Sequence, residues 1–79
     1  MIKCIAIDDE PLALELVETF CQQVPYLQLE KTFTQTSAAQ KHLRKFPVDL
    51  IFLDIQMPDM NGIEFFKSIK QEAMVIFTT

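Results

Sequence analysis

Three aspartates are the residues of this 79-residue chain best suited to chemistry. Asp8 and Asp9 follow one apolar run, and Asp54 follows another. Carboxylates held close together repel one another, and each raises the pKa of its neighbours unless a cation intervenes. Mg²⁺ suits a site of two or three carboxylates because it keeps several of its waters. A carboxylate in such a site can also attack phosphorus, so the three residues predict metal-assisted phosphoryl transfer if the fold brings them together.

The strands that must position these aspartates are visible as apolar runs. Residues 2–7 are mostly apolar and predict a central strand that ends at Asp8. Residues 50–53 form a continuous apolar run, which is typical of a strand buried on both faces. Residues 27–34 alternate imperfectly and carry charges, so they predict an edge strand. Residues 74–79 predict a fourth strand.

Three helices are predicted between these strands from apolar residues at three- and four-residue steps. The first runs from Leu12 to about Val24 and follows Pro11, which suits a first helical turn. The second is expected to be capped by Thr36 or Ser37, and the third follows Gly62, the only glycine in the chain. The side chains expected to face the core are Ala13, Leu16, Val17, Phe20, Val24, Ala38, Ala39, Leu43, Phe46, Ile63, Phe65, Phe66 and Ile69.

The alternating order of strands and helices predicts an α/β fold, with a parallel sheet and helices on both of its faces. The carboxyl ends of all the strands then lie at one edge of the sheet. We therefore expect Asp8, Asp9 and Asp54 to meet at that edge, from two neighbouring strands. Glu10 and Asp59 would lie there too, but acids at helix N-termini also complement the helix dipole, and we favour that interpretation for these two.

Composition and charge argue against several other classes of protein. The net charge of −4, without a cluster of lysine and arginine, disfavours binding of nucleic acid by this chain. No apolar run is long enough to cross a bilayer, and residue 1 leads directly into a strand pattern rather than a signal peptide. We therefore expect a cytoplasmic domain with no membrane partner.

Four further polar residues are given structural interpretations. Cys4 and Cys21 lie in a strand-like and a helix-like apolar run, and they predict reduced thiols in or near the core of a cytosolic protein. His42 lies among charged residues and is expected on a solvated helix face. Asp49 precedes its strand, at the edge opposite to Asp54, and is expected to be solvated or to act as a cap.

Three blocks of this sequence, with their spacing, resemble the receiver domain of two-component response regulators. They are Ile-Ala-Ile-Asp-Asp-Glu-Pro at 5–11, Asp-Leu-Ile-Phe-Leu-Asp-Ile-Gln-Met-Pro at 49–58 and Asn-Gly at 61–62. The resemblance implies a flavodoxin-like, doubly wound parallel sheet. The first helix and Val-Ile-Phe-Thr-Thr at 75–79 are similar to regulators that carry a LytTR-type DNA-binding domain.

The resemblance also implies roles for individual residues at the carboxyl edge. Asp54 would be the phosphoacceptor. Asp9 would bind Mg²⁺ directly, and Asp8 would bind it directly or through water. The backbone carbonyl of Gln56 would complete the protein's share of the metal ligands.

The implied partner is a sensor histidine kinase that supplies the phosphoryl group. Receiver domains catalyse their own phosphotransfer and dephosphorylation without being conventional enzymes. Thr79 aligns best with the family's hydroxyl residue, which hydrogen-bonds the phosphoryl group and moves on activation, and Thr78 is the second choice.

The resemblance extends over residues 1–79 as a partial receiver domain. A full receiver has strand order 2-1-3-4-5, whereas this sequence predicts order 2-1-3-4. On this resemblance, we expect residues 1–79 not to include the fifth strand with the family's lysine, the last two helices or the DNA-binding output domain. A second hypothesis is therefore a phosphorylation-incompetent chain that forms a homo-oligomer, through the exposed edge of its fourth strand or as a segment-swapped dimer. A third, a haloacid-dehalogenase-like phosphatase, requires an aspartate where Gln56 stands.

Overall fold

The described part of the chain forms one parallel sheet of four strands with three connecting helices. The computed structural model describes residues 1–58, 61–69 and 73–78. Its elements in chain order are β1 (Ile2–Ile7), α1 (Pro11–Gln23), β2 (Leu27–Phe33), α2 (Thr36–Lys45), β3 (Leu50–Leu53), α3 (Gly62–Ser68) and β4 (Met74–Phe77). The strands lie in the order β2-β1-β3-β4, and all neighbours are parallel. The predicted α/β fold and strand order 2-1-3-4 are confirmed.

Each face of the sheet has its own core, because successive side chains of a strand point to opposite faces. The α2/α3 core consists of Ile5, Ile7, Phe33, Ala39, Leu43, Val48, Ile51, Leu53, Met57 and Phe65. The α1 core consists of Cys4, Ala6, Leu14, Cys21, Leu50 and Phe52. All four residues of β3 are buried, which confirms the prediction of a strand covered on both faces.

A bulge in β2 explains why the alternation in this strand is imperfect. Cys4 of β1 pairs with Leu29, but the next residue, Ile5, pairs with Lys31, so Glu30 is the extra residue. Leu29 accordingly packs against the α1 core, whereas Phe33 belongs to the α2/α3 core. One strand thus contributes to both sides of the sheet.

The buried face predicted for α1 is correct only in part, because Ala13, Val17 and Val24 are half-buried but Leu16 and Phe20 are exposed. Leu16 is 73% exposed and Phe20 is 51% exposed, whereas Leu14 and Cys21 are buried. The helix carries two apolar stripes at helical spacing, and the stripe through Leu14, Val17 and Cys21 is the one that meets the sheet. Periodicity alone does not decide between two such stripes.

The other two helices bury fewer of the predicted residues than expected. In α2, Ala39 and Leu43 are buried as predicted, but Ala38 and Phe46 are exposed. In α3, Phe65 is buried, Ile69 is half-buried and packs against the α2/α3 core, and Ile63 and Phe66 are exposed. Both helices are short, so each presents only a narrow stripe to the sheet.

The helix caps also differ from the expectation. The residue that caps α2 is Gln35, without a side-chain capping bond, and Thr36 is instead buried as the first helical residue. In α3 the cap is Asn61, whose side chain accepts a hydrogen bond from the Glu64 backbone N–H at 2.9 Å and donates one to the Glu64 carboxylate at 2.8 Å. The Asn-x-x-Glu spacing is a signal that could have predicted this cap.

His42 is not on a solvated face, so that prediction is wrong. Its ring lies 5.3 Å from the Phe33 ring and 5.1 Å from the Phe46 ring, between ring centroids. It follows the buried Ala39 by three residues, on the sheet-facing side of α2. Its charged neighbours in sequence suggested solvent, but helical spacing decides its position.

Two remaining expectations concern membrane-spanning helices and the last residue of the fourth strand. Within the three described ranges, no helix is both long and apolar enough to cross a membrane. The fourth strand was predicted to reach residue 79, but β4 ends at Phe77, and Thr79 lies outside the described residues.

Candidate functional site

The carboxyl ends of β1 and β3 lie side by side, and the backbone pairing continues one residue past each strand. The Asp54 N–H donates a hydrogen bond to the Ile7 carbonyl at 3.0 Å, and the Asp8 N–H donates one to the Phe33 carbonyl at 3.0 Å. These hydrogen bonds hold the backbone of both aspartates in place relative to the sheet. Asp8 and Asp54 therefore stand next to each other at its carboxyl edge.

The side chains of the three predicted aspartates converge at this edge. Asp8, Asp9 and Asp54 each offer one carboxylate oxygen, and these oxygens all lie within 4.8 Å of one another. Local turns orient two of them: Asp8 Oδ1 accepts a hydrogen bond from the Glu10 N–H at 2.9 Å, and Asp54 Oδ1 accepts one from the Gln56 N–H at 3.2 Å. The cluster is built from backbone positions and short turns rather than from long flexible side chains.

Asp8 is the most perturbed acid of the cluster. Burial raises its pKa above the ordinary value, and the charges of Asp54 and Asp9 raise it further. A hydrogen bond from the Glu10 N–H opposes this shift, and one with the Asp54 side chain adds to it. The folded chain thus holds a buried carboxyl whose ionisation its surroundings disfavour.

The cluster fits a hard divalent cation. Its donors are carboxylate oxygens, which Mg²⁺ prefers, and the number of carboxylates leaves room for water ligands. A bound cation would also offset the repulsion that raises the pKa of Asp8. Asp8, Asp9 and Asp54 are the residues that would hold such an ion.

We expect Asp8→Asn to raise the free energy of unfolding at neutral pH in the presence of a chelator. Because the pKa of Asp8 is higher in the folded than in the unfolded chain, ionising it destabilises the fold. The penalty is fully present above the pKa of Asp8 in the folded chain and disappears below the pKa of an aspartate in the unfolded chain. The advantage of the variant should therefore shrink as the pH falls, and urea denaturation at several pH values measures it.

Added Mg²⁺ is the control for the Asp8→Asn experiment. An ion that binds the native carboxylates stabilises the wild-type chain more than the variant, so the difference between them should narrow or reverse. If Asp8→Asn were less stable than the wild type at pH 7 in chelator, ionised Asp8 would not be destabilising the fold.

Gly62, the first residue of α3, lies against the backbone of Asp54 and Ile55 at the carboxyl edge of the sheet. A Cβ at this position would lie 2.6 Å from the Asp54 carbonyl oxygen and 2.9 Å from the Ile55 Cα. The Gly62 N–H also donates a hydrogen bond to the Ile55 carbonyl at 2.6 Å. Its φ is not positive, so the glycine is explained by the close approach of two backbone segments and not by a left-handed conformation.

We expect Gly62→Ala to destabilise the chain by about 1 to 3 kcal/mol, because the clash is with backbone atoms that cannot rotate away. Helix propensity alone would favour alanine by about 1 kcal/mol, so the sign of the effect is informative. Urea denaturation measures it, with Ile63→Ala in the same helical turn as the control. A more stable Gly62→Ala variant would show that the loop accommodates a side chain.

Of the other residues predicted at this site, two lie within the described part of the chain and two lie outside it. Gln56 is exposed and orients Asp54 through its N–H. The Thr78 N–H donates a hydrogen bond to the Leu53 carbonyl at 3.0 Å, which places Thr78 beside the end of β3. Thr79 and Asp59 lie outside the described residues.

Asp49 lies at the opposite edge of the sheet, as expected. Its Oδ2 accepts a hydrogen bond from the Lys3 N–H at 3.0 Å, and its own N–H donates one to the Lys3 carbonyl at 2.8 Å. It therefore caps the start of the β1–β3 pair and takes no part in the acidic cluster.

The family model for the response regulator receiver domain matches residues 4–79. Two similar proteins are 36% identical to this chain. One is a protein-glutamate methylesterase/protein-glutamine glutaminase of Treponema denticola, matched over 95% of this chain and 20% of its own length. The other is the transcriptional regulatory protein BtsR of Escherichia coli K12, matched over 81% of this chain and 27% of its own length. The chain thus spans under a third of either relative.

Solved structures show the same fold. The response regulator domain of Thermotoga maritima CheB has a TM-score of 0.88 and 25% identity, with 98% of this chain and 59% of that chain covered. The MaeR response regulator bound to beryllium trifluoride has a TM-score of 0.90 and 23% identity, with 99% and 66% covered. At this identity the second likeness concerns the fold alone.

Proposed function

This chain belongs to the response regulator receiver domain family of two-component systems, and on that basis we propose that Asp54 accepts a phosphoryl group from a sensor histidine kinase. The observation that carries the proposal is the convergence of Asp8, Asp9 and Asp54 at the carboxyl ends of two adjacent strands. Asp8, Asp9, the phosphoacceptor Asp54 and the backbone carbonyl of Gln56 would hold Mg²⁺. When bound, Mg²⁺ screens the negative charge of the incoming phosphoryl group.

The transfer requires a carboxylate that is oriented and reachable. An oxygen of Asp54 attacks phosphorus, the bond between phosphorus and the donor nitrogen breaks, and the leaving imidazole keeps the electron pair and takes up a proton from solvent. Asp54 is half-buried, so a donor can reach it, and the Gln56 N–H holds the carboxylate in place. Asp8 and Asp9 supply the negative field that retains the metal. Thr79 is proposed to donate a hydrogen bond from its hydroxyl to an oxygen of the phosphoryl group, with Thr78 as the second candidate.

We further propose that the chain acts as the receiver part of a longer cytoplasmic regulator with a LytTR-type DNA-binding output domain. Support for a role in transcriptional regulation comes from the similarity to transcriptional regulatory proteins such as BtsR of Escherichia coli and MalR of Bacillus subtilis, of which this chain matches 27% and 31%. The LytTR type rests on the resemblance of the first helix and of residues 75–79 alone. Residues 1–79 carry a net charge of −4, which disfavours contact with the DNA backbone. We therefore propose that they regulate the output domain and do not bind DNA themselves.

The proposal is tested by mapping where a phosphoryl group is accepted. The chain is incubated with Mg²⁺ and a small acyl-phosphate donor, and the product is reduced with borohydride so that the labelled carboxyl can be located by peptide mass analysis. We expect one label per chain, at Asp54, and none when EDTA replaces Mg²⁺. A label at another residue, or labelling that does not depend on the metal, would contradict the site.

Self-association of this chain stays a prediction. In the described sheet, β4 is an outer strand, and Met74, Ile76 and Phe77 are exposed on it. An uncharged apolar edge favours strand pairing with a second copy. We expect the mass measured by light scattering to rise with concentration, and less so in Ile76→Lys, which places a charge on the edge strand. A monodisperse monomer at the highest concentration would disprove it.

A further inference from the structure

The two cysteines of the chain meet in the α1 core, away from the acidic cluster. Cys4 lies in the middle of β1 and is 0% exposed, and Cys21 lies near the end of α1 and is 5% exposed. Both are free, and their thiols are in hydrogen-bonding contact with each other. The proposed phosphoryl transfer makes no use of either thiol. We propose that Cys4 and Cys21 form a redox-modification site, at which a peroxide or another two-electron oxidant joins them in an intramolecular disulfide between β1 and α1.

The contact between the thiols supplies the geometric basis. Disulfide formation needs two cysteines whose side chains already point at each other, because a bridge between diverging side chains would require the backbone to move. Here both cysteines belong to one buried cluster at the interface of α1 and β1, and their thiols lie close enough to share a hydrogen bond. The surrounding residues of this core are apolar, so the thiols have each other as polar partners. The disulfide would therefore join two cysteines that are already neighbours in the folded chain.

A cavity gives small molecules access to Cys21. It has a volume of about 470 Å³, lies between α1 and β2, and is lined by Cys21 together with Glu18, Gln22, Leu27 and Leu29 among others. Hydrogen peroxide is much smaller than this space. Cys4, on β1 behind it, is not among the lining residues. Cys21 is therefore the thiol that meets the oxidant first.

The acidity of the thiols points to the same order of events. Burial, the neighbouring Cys21 and the charge of Glu30 together raise the pKa of Cys4 to about 12. Burial also raises the pKa of Cys21, but there the hydrogen bond from Cys4 opposes the shift. Because the thiolate is the nucleophile, Cys21 is the better attacking group of the two, and both react slowly at neutral pH.

The reaction balances in two steps. The Cys21 thiolate attacks one peroxide oxygen, the O–O bond breaks, hydroxide leaves, and a sulfenic acid remains on Cys21. The Cys4 sulfur then attacks the Cys21 sulfur, the S–O bond breaks, and water leaves with the proton of the Cys4 thiol. Two thiols are oxidised by two electrons in total, and one peroxide is reduced to two waters.

The bond would close a loop that contains part of the acidic cluster. The chain from Cys4 to Cys21 includes Asp8 and Asp9, the turn at Glu10 and nearly all of α1. Oxidation therefore tethers both ends of the segment that carries two of the three clustered carboxylates. Reduction releases it.

The test is oxidation of the full 79-residue chain with hydrogen peroxide at mildly alkaline pH, where more thiolate is present. We expect both thiols to be lost together, a mass lower by two hydrogens, a monomer on a non-reducing gel, and a cross-linked peptide pair that contains Cys4 and Cys21. Dithiothreitol should restore both thiols. In Cys4→Ala the reaction should stop at the sulfenic acid of Cys21, which a dimedone-type probe traps.

The contrary outcomes are equally clear. Oxygen adducts that accumulate on the two cysteines independently, covalent dimers, or thiols that stay unreacted until the chain is unfolded by urea would each overturn the proposal. The decisive readings are made on the wild-type chain, so they stand even if Cys4→Ala folds poorly. None of them depends on phosphoryl transfer, so failure here leaves the role of Asp54 untouched.

Discussion

Asp54→Asn is expected to reduce metal-dependent phosphoryl acceptance to background, a loss of about 1,000-fold or more. The amide has nearly the shape of the carboxylate, and its oxygen can still accept the hydrogen bond from the Gln56 N–H that Asp54 Oδ1 accepts at 3.2 Å. What it lacks is the negative charge and the nucleophilic oxygen. The measurement is the initial rate of label incorporation from a small phosphodonor with Mg²⁺, at equal protein concentrations.

The matched control is Asp49→Asn. It makes the same chemical change next to the same strand, but at the opposite edge of the sheet, where Asp49 caps the Lys3 backbone. The asparagine oxygen can still accept that bond, so labelling should stay close to the wild-type rate. Wild-type labelling of Asp54→Asn would show that another residue is the phosphoacceptor. Loss of labelling in both variants, with altered circular dichroism, would indicate a folding defect.

Phe65→Ala is expected to give the largest loss of stability, about 3 to 5 kcal/mol. Phe65 is 0% exposed and is the largest fully buried side chain of the described residues. It fills the α2/α3 core between α3 and the sheet, and its removal leaves a cavity there. A domain of 79 residues has a total stability of about 4 to 12 kcal/mol, so this loss is a large fraction of it and the urea midpoint should fall sharply. Urea denaturation followed by circular dichroism measures the loss.

The adjacent Phe66 provides the control, because the same substitution is made one residue away on the same helix. Phe66 is 46% exposed, and we expect Phe66→Ala to cost less than about half of what Phe65→Ala costs. Equal losses in the two variants would mean that α3 packs on the sheet with a different face from the one described.

The strands and the acidic cluster could be predicted from the sequence, and the reason is physical. Strands of a parallel sheet are covered on both faces, so residues 50–53 had to be apolar at every position. A parallel sheet also brings all carboxyl ends to one edge, so Asp8 and Asp54 had to be neighbours once the strand order was known. Neither inference depends on the rotation of a helix.

Features that depend on the rotation of a helix about its axis were harder to predict. Leu16 and Phe20 are as apolar as Leu14, and only packing against the sheet selects between the two stripes of α1. The contact between Cys4 and Cys21 follows from that selection, so it was missed for the same reason. The approach of Gly62 to the Asp54 carbonyl joins two loops in space, and no spacing in the sequence encodes it.

The bulge in β2 has a consequence for how this segment tolerates insertions and deletions. With Glu30 as the extra residue, Leu27 and Leu29 pack on one face of the sheet while Phe33 packs on the other, although all three have odd numbers. Removing Glu30 would leave Leu29 opposite Cys4 and Lys31 opposite Ile5, so β2 would alternate strictly and both cores would keep their residues from this strand. A residue added elsewhere in β2 would instead carry side chains through the sheet to the wrong face. The bulge therefore makes position 30 a place where this strand can lose a residue without exchanging its two faces.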